Sequence, residues 1–346
     1  MSDDVNPRMA QQDPVDQPLI DHYDAALFDL DGVIYLGPHP VPAAPPTVEK
    51  LLARGVKVGF VTNNAARSTT VVADVLRGMG MDVTRNDIVS SGEAITDLAA
   101  SRLPRGARVL IAGTEALADE ARARGLEPVW TADENPVAVI QGYHPQMPWS
   151  LLVEAGLAVQ HGAAWYGANP DMTRPTDRGI VPGVGVQLAA VGATVDVEPV
   201  IAGKPHRPLL DATVARLGCA HPVFVGDRLD TDMLGANRAS MGSMFVFSGA
   251  HGKHDLLDAD PQSRPEHIAK DVSGLLDPPR EAVIDGDRAA CRNGSAAVVD
   301  GLVQVDGPVG SELDAQLDCL AAVLALVWSG RGTGSHDGLA VLDLVH

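Results

Sequence analysis

The segment Ala25-Ala26-Leu27-Phe28-Asp29-Leu30-Asp31-Gly32 is the most informative part of this sequence for the architecture. Its four apolar residues are typical of a buried strand, and the residues that follow open a turn. Side chains alternate along a strand, but a turn beginning at Leu30 can bring Asp29 and Asp31 into one pocket. The segment therefore predicts two acids at the tip of a buried strand.

Further strands are predicted on both sides of this segment. Apolar runs near residues 56–61, 222–225 and 243–247 have the length of buried strands, and helical segments alternate with them. Alternation of this kind indicates an α/β fold with a doubly wound parallel sheet and helices on both faces.

The pattern of strands and helices also predicts several domains. A chain of 346 residues is long enough for two or three. We expect a disordered tail over residues 1–21, a doubly wound core formed by 22–83 and 186–276, an inserted α/β domain over 84–185, and a small α+β C-terminal domain over 281–346.

Composition limits the partners of the chain. It has 26 Lys and Arg against 45 Asp and Glu, a formal net charge of −19. A chain this acidic repels polyanions, so we expect no nucleic acid partner and little attraction to an anionic lipid surface. No apolar run approaches the roughly 20 residues needed to cross a bilayer, and we therefore expect no membrane span.

The cysteines indicate a compartment. Cys219, Cys291 and Cys319 are odd in number, far apart, and in no Cys-x-x-Cys pair. They predict neither a disulfide framework nor a thiolate zinc site. Together with the absence of a secretory signal pattern at the start, they lead us to expect a cytoplasmic protein.

Polar side chains stand where the predicted strands end. Asp29 with Asp31, Thr62 with Asn63, and Asp227 each follow an apolar run, and Lys204 lies in a Gly-Lys-Pro turn. In open parallel sheets, ligands bind at the carboxyl ends of the strands. Carboxylates, a hydroxyl and an ammonium group are the parts that phosphoryl transfer needs, and the carboxylate oxygens suit Mg²⁺.

The chain resembles the haloacid-dehalogenase superfamily of phosphatases through four motifs in the right order. They are Asp29-Leu30-Asp31-Gly32-Val33-Ile34-Tyr35, Thr62-Asn63-Asn64, Gly203-Lys204-Pro205 and Gly226-Asp227-Arg228-Leu229-Asp230-Thr231-Asp232. These motifs frame most of residues 22–276. The resemblance implies a Mg²⁺-dependent phosphomonoester hydrolase that works through an aspartyl-phosphate intermediate.

The resemblance also implies roles for individual residues. Asp29 would be the nucleophile and Asp31 the general acid and base. The groups that hold the phosphoryl group would be Thr62, Asn63, Asn64 and Lys204. The metal would be bound by Asp29, by the main-chain carbonyl of Asp31 and by Asp227, with Asp232 behind them or as an alternative ligand.

The inserted segment resembles the large α/β cap of one subfamily of these phosphatases. The motifs that carry this likeness are Gln141-Gly142-Tyr143-His144, Gly167-Ala168-Asn169-Pro170-Asp171 and Pro182-Gly183-Val184-Gly185. The subfamily contains bacterial nucleotide phosphatases, 4-nitrophenylphosphatase-like enzymes, phosphoglycolate phosphatase and pyridoxal phosphatase. Its cap selects the substrate, which makes Tyr143 and His144 candidate substrate contacts.

The chain, with its three parts and its extra C-terminal segment, most resembles the actinobacterial glycerol-3-phosphate phosphatases. Their C-terminal tail is similar to a reduced acetyltransferase-like fold. The resemblance implies a small phosphorylated metabolite as the partner, with glycerol 3-phosphate as the first candidate, hydrolysed to glycerol and phosphate. It also leaves open a homodimer formed through the cap or through the C-terminal domain.

Two other kinds of site fit the same residues less well. A calcium loop starting at Asp29 would need oxygen donors where Val33 and Pro40 stand. A receiver domain would keep its Thr and Lys close in sequence, unlike Thr62 and Lys204. Three alternatives stay open: a phosphatase for 2-phosphoglycolate, pyridoxal phosphate or a nucleotide, a phosphomutase, and an effector-binding regulatory protein that acts through its C-terminal domain.

Overall fold

The structure is a computed structural model that describes residues 17–176 and 179–345. Residues 1–16 of the expected tail lie outside this range. The rest of that tail is structured, because Leu19–His22 forms a 3-10 helix with Leu19 and Ile20 buried. Both side chains belong to an apolar cluster with Leu275, and Leu19 N–H donates to Asp277 O at 2.8 Å. The ordered chain therefore begins earlier than residue 22.

The strands and helices are numbered in chain order. The strands are β1 (Ala25–Phe28), β2 (Tyr35–Leu36), β3 (His39–Pro40), β4 (Lys57–Thr62), β5 (Ile88–Ser90), β6 (Arg108–Ala112), β7 (Glu127–Val129), β8 (Ala138–Gln141), β9 (Ala164–Gly167), β10 (Thr173–Thr176), β11 (Gly179–Pro182), β12 (Val200–Ile201), β13 (Pro222–Gly226), β14 (Gly242–Val246), β15 (His267–Ala269), β16 (Val283–Asp285), β17 (Arg288–Cys291), β18 (Gly294–Val299) and β19 (Leu302–Val305). The α-helices are α1 (Ala44–Ala53), α2 (Thr69–Gly78), α3 (Ser91–Arg102), α4 (Glu115–Ala123), α5 (Trp149–Gln160), α6 (Val184–Gly192), α7 (Arg207–Leu217), α8 (Leu234–Arg238), α9 (Lys253–Leu257) and α10 (Leu313–Trp328).

A six-stranded parallel sheet forms the first layer, in the order β15-β14-β13-β1-β4-β5. All four residues of β1 are buried, with Leu27 opposite Phe224 on one side and opposite Gly59 on the other. Continuous apolar runs are the mark of strands that are covered on both faces. The observed sheet confirms the α/β fold class.

A second parallel sheet, in the order β12-β9-β8-β6-β7, forms the inserted unit. Its limits differ from the expected 84–185 in both directions. Ile88 of β5 pairs with Phe60 and so belongs to the first sheet, whereas Val200 of β12 pairs with Tyr166 and extends the second. Both strands are so short that neighbouring strands, and not their own pattern, determine the sheet to which they belong.

The C-terminal unit is an antiparallel sheet, β16-β17-β18-β19, that packs against helix α10. Buried residues occur on nearly every side of this helix, including Leu317, Cys319 and Leu326. A helix that is buried on most of its sides requires cover from more than one element. Here, cover comes from the sheet on one side and from α9 and β15 on another.

A buried ion pair joins this unit to the first sheet. Arg280 Nε donates to Asp318 Oδ1 at 3.0 Å, and Arg280 also pairs with Asp314 and donates to Ile268 O at 3.3 Å. The side chains of Arg280 and Asp318 are only 4% and 6% exposed. Removal of one partner would leave a buried charge without its main counter-ion.

We predict that Arg280→Met lowers the free energy of unfolding by about 3 kcal/mol, because Asp318 would stay buried without its main counter-ion. Urea denaturation would measure the change. The matched control is Arg77→Met, since Arg77 pairs with Asp74 at the surface, where such a pair contributes about 0.5 kcal/mol or less. An equal loss in the two variants would contradict the prediction.

Candidate active site

The carboxyl ends of three adjacent strands bring several of the predicted site residues together. Asp29 directly follows β1, Thr62 is the last residue of β4, and Asp227 directly follows β13. Because β1 lies between β4 and β13, these three residues meet at one edge of the sheet. Lys204 reaches the same place from the segment after β12.

Lys204 forms the centre of this cluster. Its Nζ lies 2.6 Å from Asp29 Oδ1 and 2.8 Å from Asp232 Oδ1, and the side chain is only 2% exposed. The ammonium also lies 5.1 Å from the centroid of the Phe224 ring. A lysine this deeply buried requires paired charges, and two carboxylates supply them.

Burial and mutual repulsion shift the titration of these groups. Burial raises the pKa of Asp29 well above its usual range; the charge of Lys204 opposes this rise, and the charges of Asp232 and Asp227 add to it. Burial, with the charge of Asp232, also raises the pKa of Asp227 to about 7. Burial alone would lower the pKa of Lys204, but Asp232 and Asp29 raise it overall. Three carboxylates therefore share one ammonium, and a further cation would relieve the excess negative charge.

The donor set fits a hard divalent cation such as Mg²⁺. Asp29, Asp227 and Asp232 each offer a carboxylate oxygen within 4.8 Å of the others. Asp227 Oδ1 is buried without a hydrogen-bond partner among the described residues. Oxygen donors are what Mg²⁺ prefers. Asp232 is already engaged, because its Oδ2 accepts from the N–H groups of Asp227 and Arg228 at 3.2 Å.

A loop that the sequence analysis missed fixes Asp227. Ala250 N–H donates to Asp227 Oδ2 at 2.6 Å, and Ser248 Oγ donates to Gly32 O at 2.7 Å. A Cβ placed on Gly249 would lie 1.9 Å from Asp227 Oδ2, so only glycine fits against the carboxylate. The sequence does contain a sign of this loop. Ser248-Gly249-Ala250 follows shortly after β14, at the carboxyl end of another strand of the first sheet.

Asp31 lies beside the buried cluster. Its side chain is accessible to solvent, yet the protein atoms around it still raise its pKa by desolvation. The charges of Arg174, Arg67 and Lys204 oppose that rise. Asp31 therefore combines access to solvent with charged neighbours from both the first sheet and the inserted unit.

Three of the predicted phosphate-binding residues, Thr62, Asn63 and Asn64, lie at the end of β4 and directly after it. Thr62 is buried, and its Oγ1 accepts from Asn64 N–H at 3.1 Å. Asn64 Oδ1 in turn accepts from Ala66 N–H at 2.9 Å. The side chain of Asn63 points differently and contacts the main chain of Lys204 and the carboxylate of Asp171.

The two candidate substrate contacts of the inserted unit differ in their surroundings. The Tyr143 ring lies 5.2 Å from the guanidinium carbon of Arg174, whose charge acts on Asp31. His144 Nδ1 instead accepts from Gln146 N–H at 3.0 Å, and its carbonyl accepts from Gln187. Tyr143 is thus linked to the acidic cluster through Arg174, whereas these two hydrogen bonds of His144 lie within the inserted unit.

Comparison with protein families gives two matches. A model described as haloacid dehalogenase-like hydrolase matches residues 26–127, and a HAD-hydrolase-like model matches residues 201–275. Between them lies most of the inserted unit.

In the part of the chain that the structure describes, no helix combines the length and the apolar character needed to cross a membrane.

Individual relatives are also similar to the chain. It is 38% identical over 326 residues to the D-glycerol 3-phosphate phosphatase of Mycobacterium tuberculosis, covering 91% of this chain and 88% of that protein. It is 30% identical over 256 residues to an acid sugar phosphatase of Staphylococcus aureus, covering 73% of this chain and 97% of that protein.

Two solved structures are also similar to the chain. A glycerol phosphate phosphatase of Mycobacterium tuberculosis in complex with magnesium has a TM-score of 0.83 at 36% identity, covering 95% of this chain and 98% of that one. A p-nitrophenyl phosphatase from Archaeoglobus fulgidus has a TM-score of 0.68 at 27% identity, covering 73% of this chain and 98% of that one. The C-terminal unit is thus part of the likeness to the mycobacterial structure.

We predict that Gly249→Ala weakens Mg²⁺ binding at least tenfold, which corresponds to about 1.4 kcal/mol. The added methyl group would displace the carboxylate of Asp227. Calorimetric titration of the purified protein with Mg²⁺ would measure the affinity. Gly78→Ala is the control, since a Cβ there meets nothing within 4 Å. Unchanged affinity in Gly249→Ala would contradict the assignment of Asp227 to the metal.

Proposed function

The chain belongs to the haloacid dehalogenase-like hydrolase family and is a phosphatase, and we propose that it hydrolyses glycerol 3-phosphate with the help of Mg²⁺. The observation that carries this proposal is the cluster of Asp29, Asp227 and Asp232 around the Lys204 ammonium at the sheet edge. The D-glycerol 3-phosphate phosphatase that matches 91% of the chain supports the choice of ester.

In this proposal, Asp29 is the nucleophile. One carboxylate oxygen attacks phosphorus and the bond to the alcohol oxygen breaks, which leaves the phosphoryl group on Asp29. Lys204 contacts Asp29 at 2.6 Å and supplies positive charge where two anions must approach each other. Mg²⁺, when held by Asp29, Asp227 and the main-chain carbonyl of Asp31, with Asp232 behind them or as an alternative ligand, adds further positive charge at the same place.

Asp31 is the proposed general acid and base. Burial raises the pKa of Asp31, which increases the fraction of this acid that carries a proton, and the protonated form donates that proton to the leaving alcohol oxygen. The carboxylate that results then accepts a proton from the water that attacks the phosphorylated Asp29. Release of phosphate restores both acids. Access to solvent at Asp31 suits both of these transfers.

The phosphoryl group is held by Thr62 together with Lys204 in this proposal. Thr62 Oγ1 accepts from Asn64 N–H, so its own hydrogen is directed elsewhere and can be donated to a phosphoryl oxygen. The Nδ2 group of Asn64 is a second candidate donor, because its Oδ1 already accepts from Ala66.

One observation favours a second substrate, 2-phosphoglycolate. Arg67 and Arg174 both act on Asp31 electrostatically, one from the segment before α2 and the other from strand β10. Two guanidinium groups near the acid would suit a leaving group that carries a carboxylate. Glycerol 3-phosphate would instead use the polar edge of Tyr143 beside Arg174.

We also propose a cytoplasmic location and a homodimer. Cys219, Cys291 and Cys319 are all free and buried. Free buried thiols suit a reducing compartment, in which disulfides are rare. A dimer would be formed through the inserted unit or the C-terminal unit.

Phosphate release from a panel of esters tests the function. The panel contains glycerol 3-phosphate, 2-phosphoglycolate, pyridoxal 5′-phosphate, nucleoside monophosphates and sugar phosphates, each with Mg²⁺ or EDTA. We predict the highest kcat/KM for glycerol 3-phosphate, loss of activity in EDTA, and a loss of about 10⁴-fold or more in Asp29→Asn. A different preferred ester would overturn the substrate alone, and activity in Asp29→Asn would overturn the mechanism.

Leaving groups of different quality test Asp31. We predict that Asp31→Asn lowers kcat/KM for glycerol 3-phosphate by about 10²- to 10⁴-fold, because the alcohol needs a proton. With 4-nitrophenyl phosphate, whose leaving group needs none, the variant should release one equivalent of nitrophenol rapidly and then turn over slowly. Rapid-mixing absorbance would show this burst. Equal losses for both esters without a burst would contradict the role of Asp31.

A further inference from the structure

The amide of Asn63 lies between two segments that approach the active site from the inserted unit. Its Oδ1 accepts from Lys204 N–H at 2.8 Å, and its Nδ2 donates to Lys204 O at 3.1 Å. The same Nδ2 donates to Asp171 Oδ1 and Oδ2 at 3.1 and 3.2 Å. The amide thus contacts both main-chain polar groups of Lys204 and one carboxylate.

These contacts use every donor that the side chain has. A primary amide carries two N–H groups and one oxygen. In Asn63, one N–H is directed to Lys204 O and the other to the carboxylate of Asp171. The remaining lone pair of the amide oxygen can only accept a hydrogen bond, whereas a phosphate anion needs hydrogen-bond donors. The donors of the Asn63 side chain are therefore fully used without contact to a phosphoryl group.

The main chain that Asn63 holds determines where the Lys204 ammonium lies. The ammonium has to bridge Asp29 Oδ1 and Asp232 Oδ1 at 2.6 and 2.8 Å. Gly203 allows the close approach, because a Cβ there would lie 2.7 Å from Asn63 Oδ1 and 2.6 Å from Ala168 O. A shift of this segment would move the ammonium away from the acids.

Asp171 is fixed from its other side. Gly185 N–H donates to Asp171 O at 2.8 Å, and a Cβ on Gly183 would lie 2.2 Å from that oxygen. Asn169 Nδ2 donates to Asn63 O, which adds a second link to the same loop. The motifs around residues 167–171 and 182–185 therefore form one support behind Asn63.

We propose that Asn63 is a positioning residue whose side chain holds the main chain of Lys204, with Asp171 as its support, and that this side chain does not bind phosphate. The proposal rests on the proposed function, since Lys204 matters there as the partner of Asp29. It assigns a task to the Asn-Pro-Asp and Pro-Gly-Val-Gly motifs of the inserted unit, which is to align the lysine.

A double-mutant cycle between Asn63→Ala and Lys204→Met tests this. If Asn63 acts only through Lys204, its loss costs nothing once the ammonium is gone. We expect Asn63→Ala alone to lower kcat/KM by about 100-fold, as a misplaced group can do. The double variant should match Lys204→Met within about threefold. A further 100-fold loss in the double variant would overturn the proposal, because Asn63 would then contact the phosphoryl group independently.

Three controls separate positioning from folding. Asn86→Ala makes the same substitution at an exposed site and should leave kcat/KM unchanged. Urea denaturation of every variant would show whether lost activity follows lost stability, and full recovery of kcat/KM under stabilising conditions would overturn the proposal. If Lys204→Met does not fold, Lys204→Gln replaces it in the cycle.

Asp171 supplies an independent readout. Asp171→Asn keeps an oxygen that can accept from Asn63 Nδ2 and should retain most of the affinity for inorganic phosphate as an inhibitor. Asp171→Ala removes the support and should weaken that affinity about tenfold or more, and equal affinities in these two variants would overturn the support role. The double-mutant cycle is measured with 4-nitrophenyl phosphate. A protein that hydrolyses this ester but not glycerol 3-phosphate would refute the proposed substrate, and the cycle could still be measured.

Discussion

The buried ammonium of Lys204 between Asp29 and Asp232 brings together segments from distant parts of the chain at the edge of the first sheet. Removing charged groups from water is costly, and a site with three carboxylates and one ammonium is stable only when each group is held in place. Strand β1 supplies Asp29, and the π-helical turn Leu229–Met233 supplies Asp232. Elements far apart in sequence are therefore needed for one ion cluster.

Glycines, which carry no side chain, make the close approaches in this cluster possible. A Cβ on Gly226 would lie 2.3 Å from Asp232 Cβ, and one on Gly32 would lie 2.4 Å from Asp227 Oδ2. Gly249 and Gly203 serve the same purpose around Asp227 and Asn63. The carboxylates can come together because the main chain opposite them carries no bulk.

Much of this organisation follows from local sequence patterns, and the rest depends on distant contacts. The apolar run before Asp29 predicted a buried strand, as observed, and the family to which the four motifs pointed is confirmed. The contact of Asn63 with Lys204 could not be predicted, because it joins residues 141 positions apart. The sheet membership of β5 and β12 depends on pairing partners and not on their own few residues.

The strand order has a consequence for synthesis of the protein on the ribosome. β1 pairs with β4 soon after both are made, but its other neighbour, β13, follows only after the whole inserted sheet. Until then, the edge of β1 exposes unpaired N–H and C=O groups beside an apolar face, which is a risk for aggregation. The inserted sheet is nearly continuous in sequence, so it can fold before β13 is made and pairs with that edge. A nascent chain that stalls before residue 222 would thus leave its apolar strand open to chaperones and to other copies of itself.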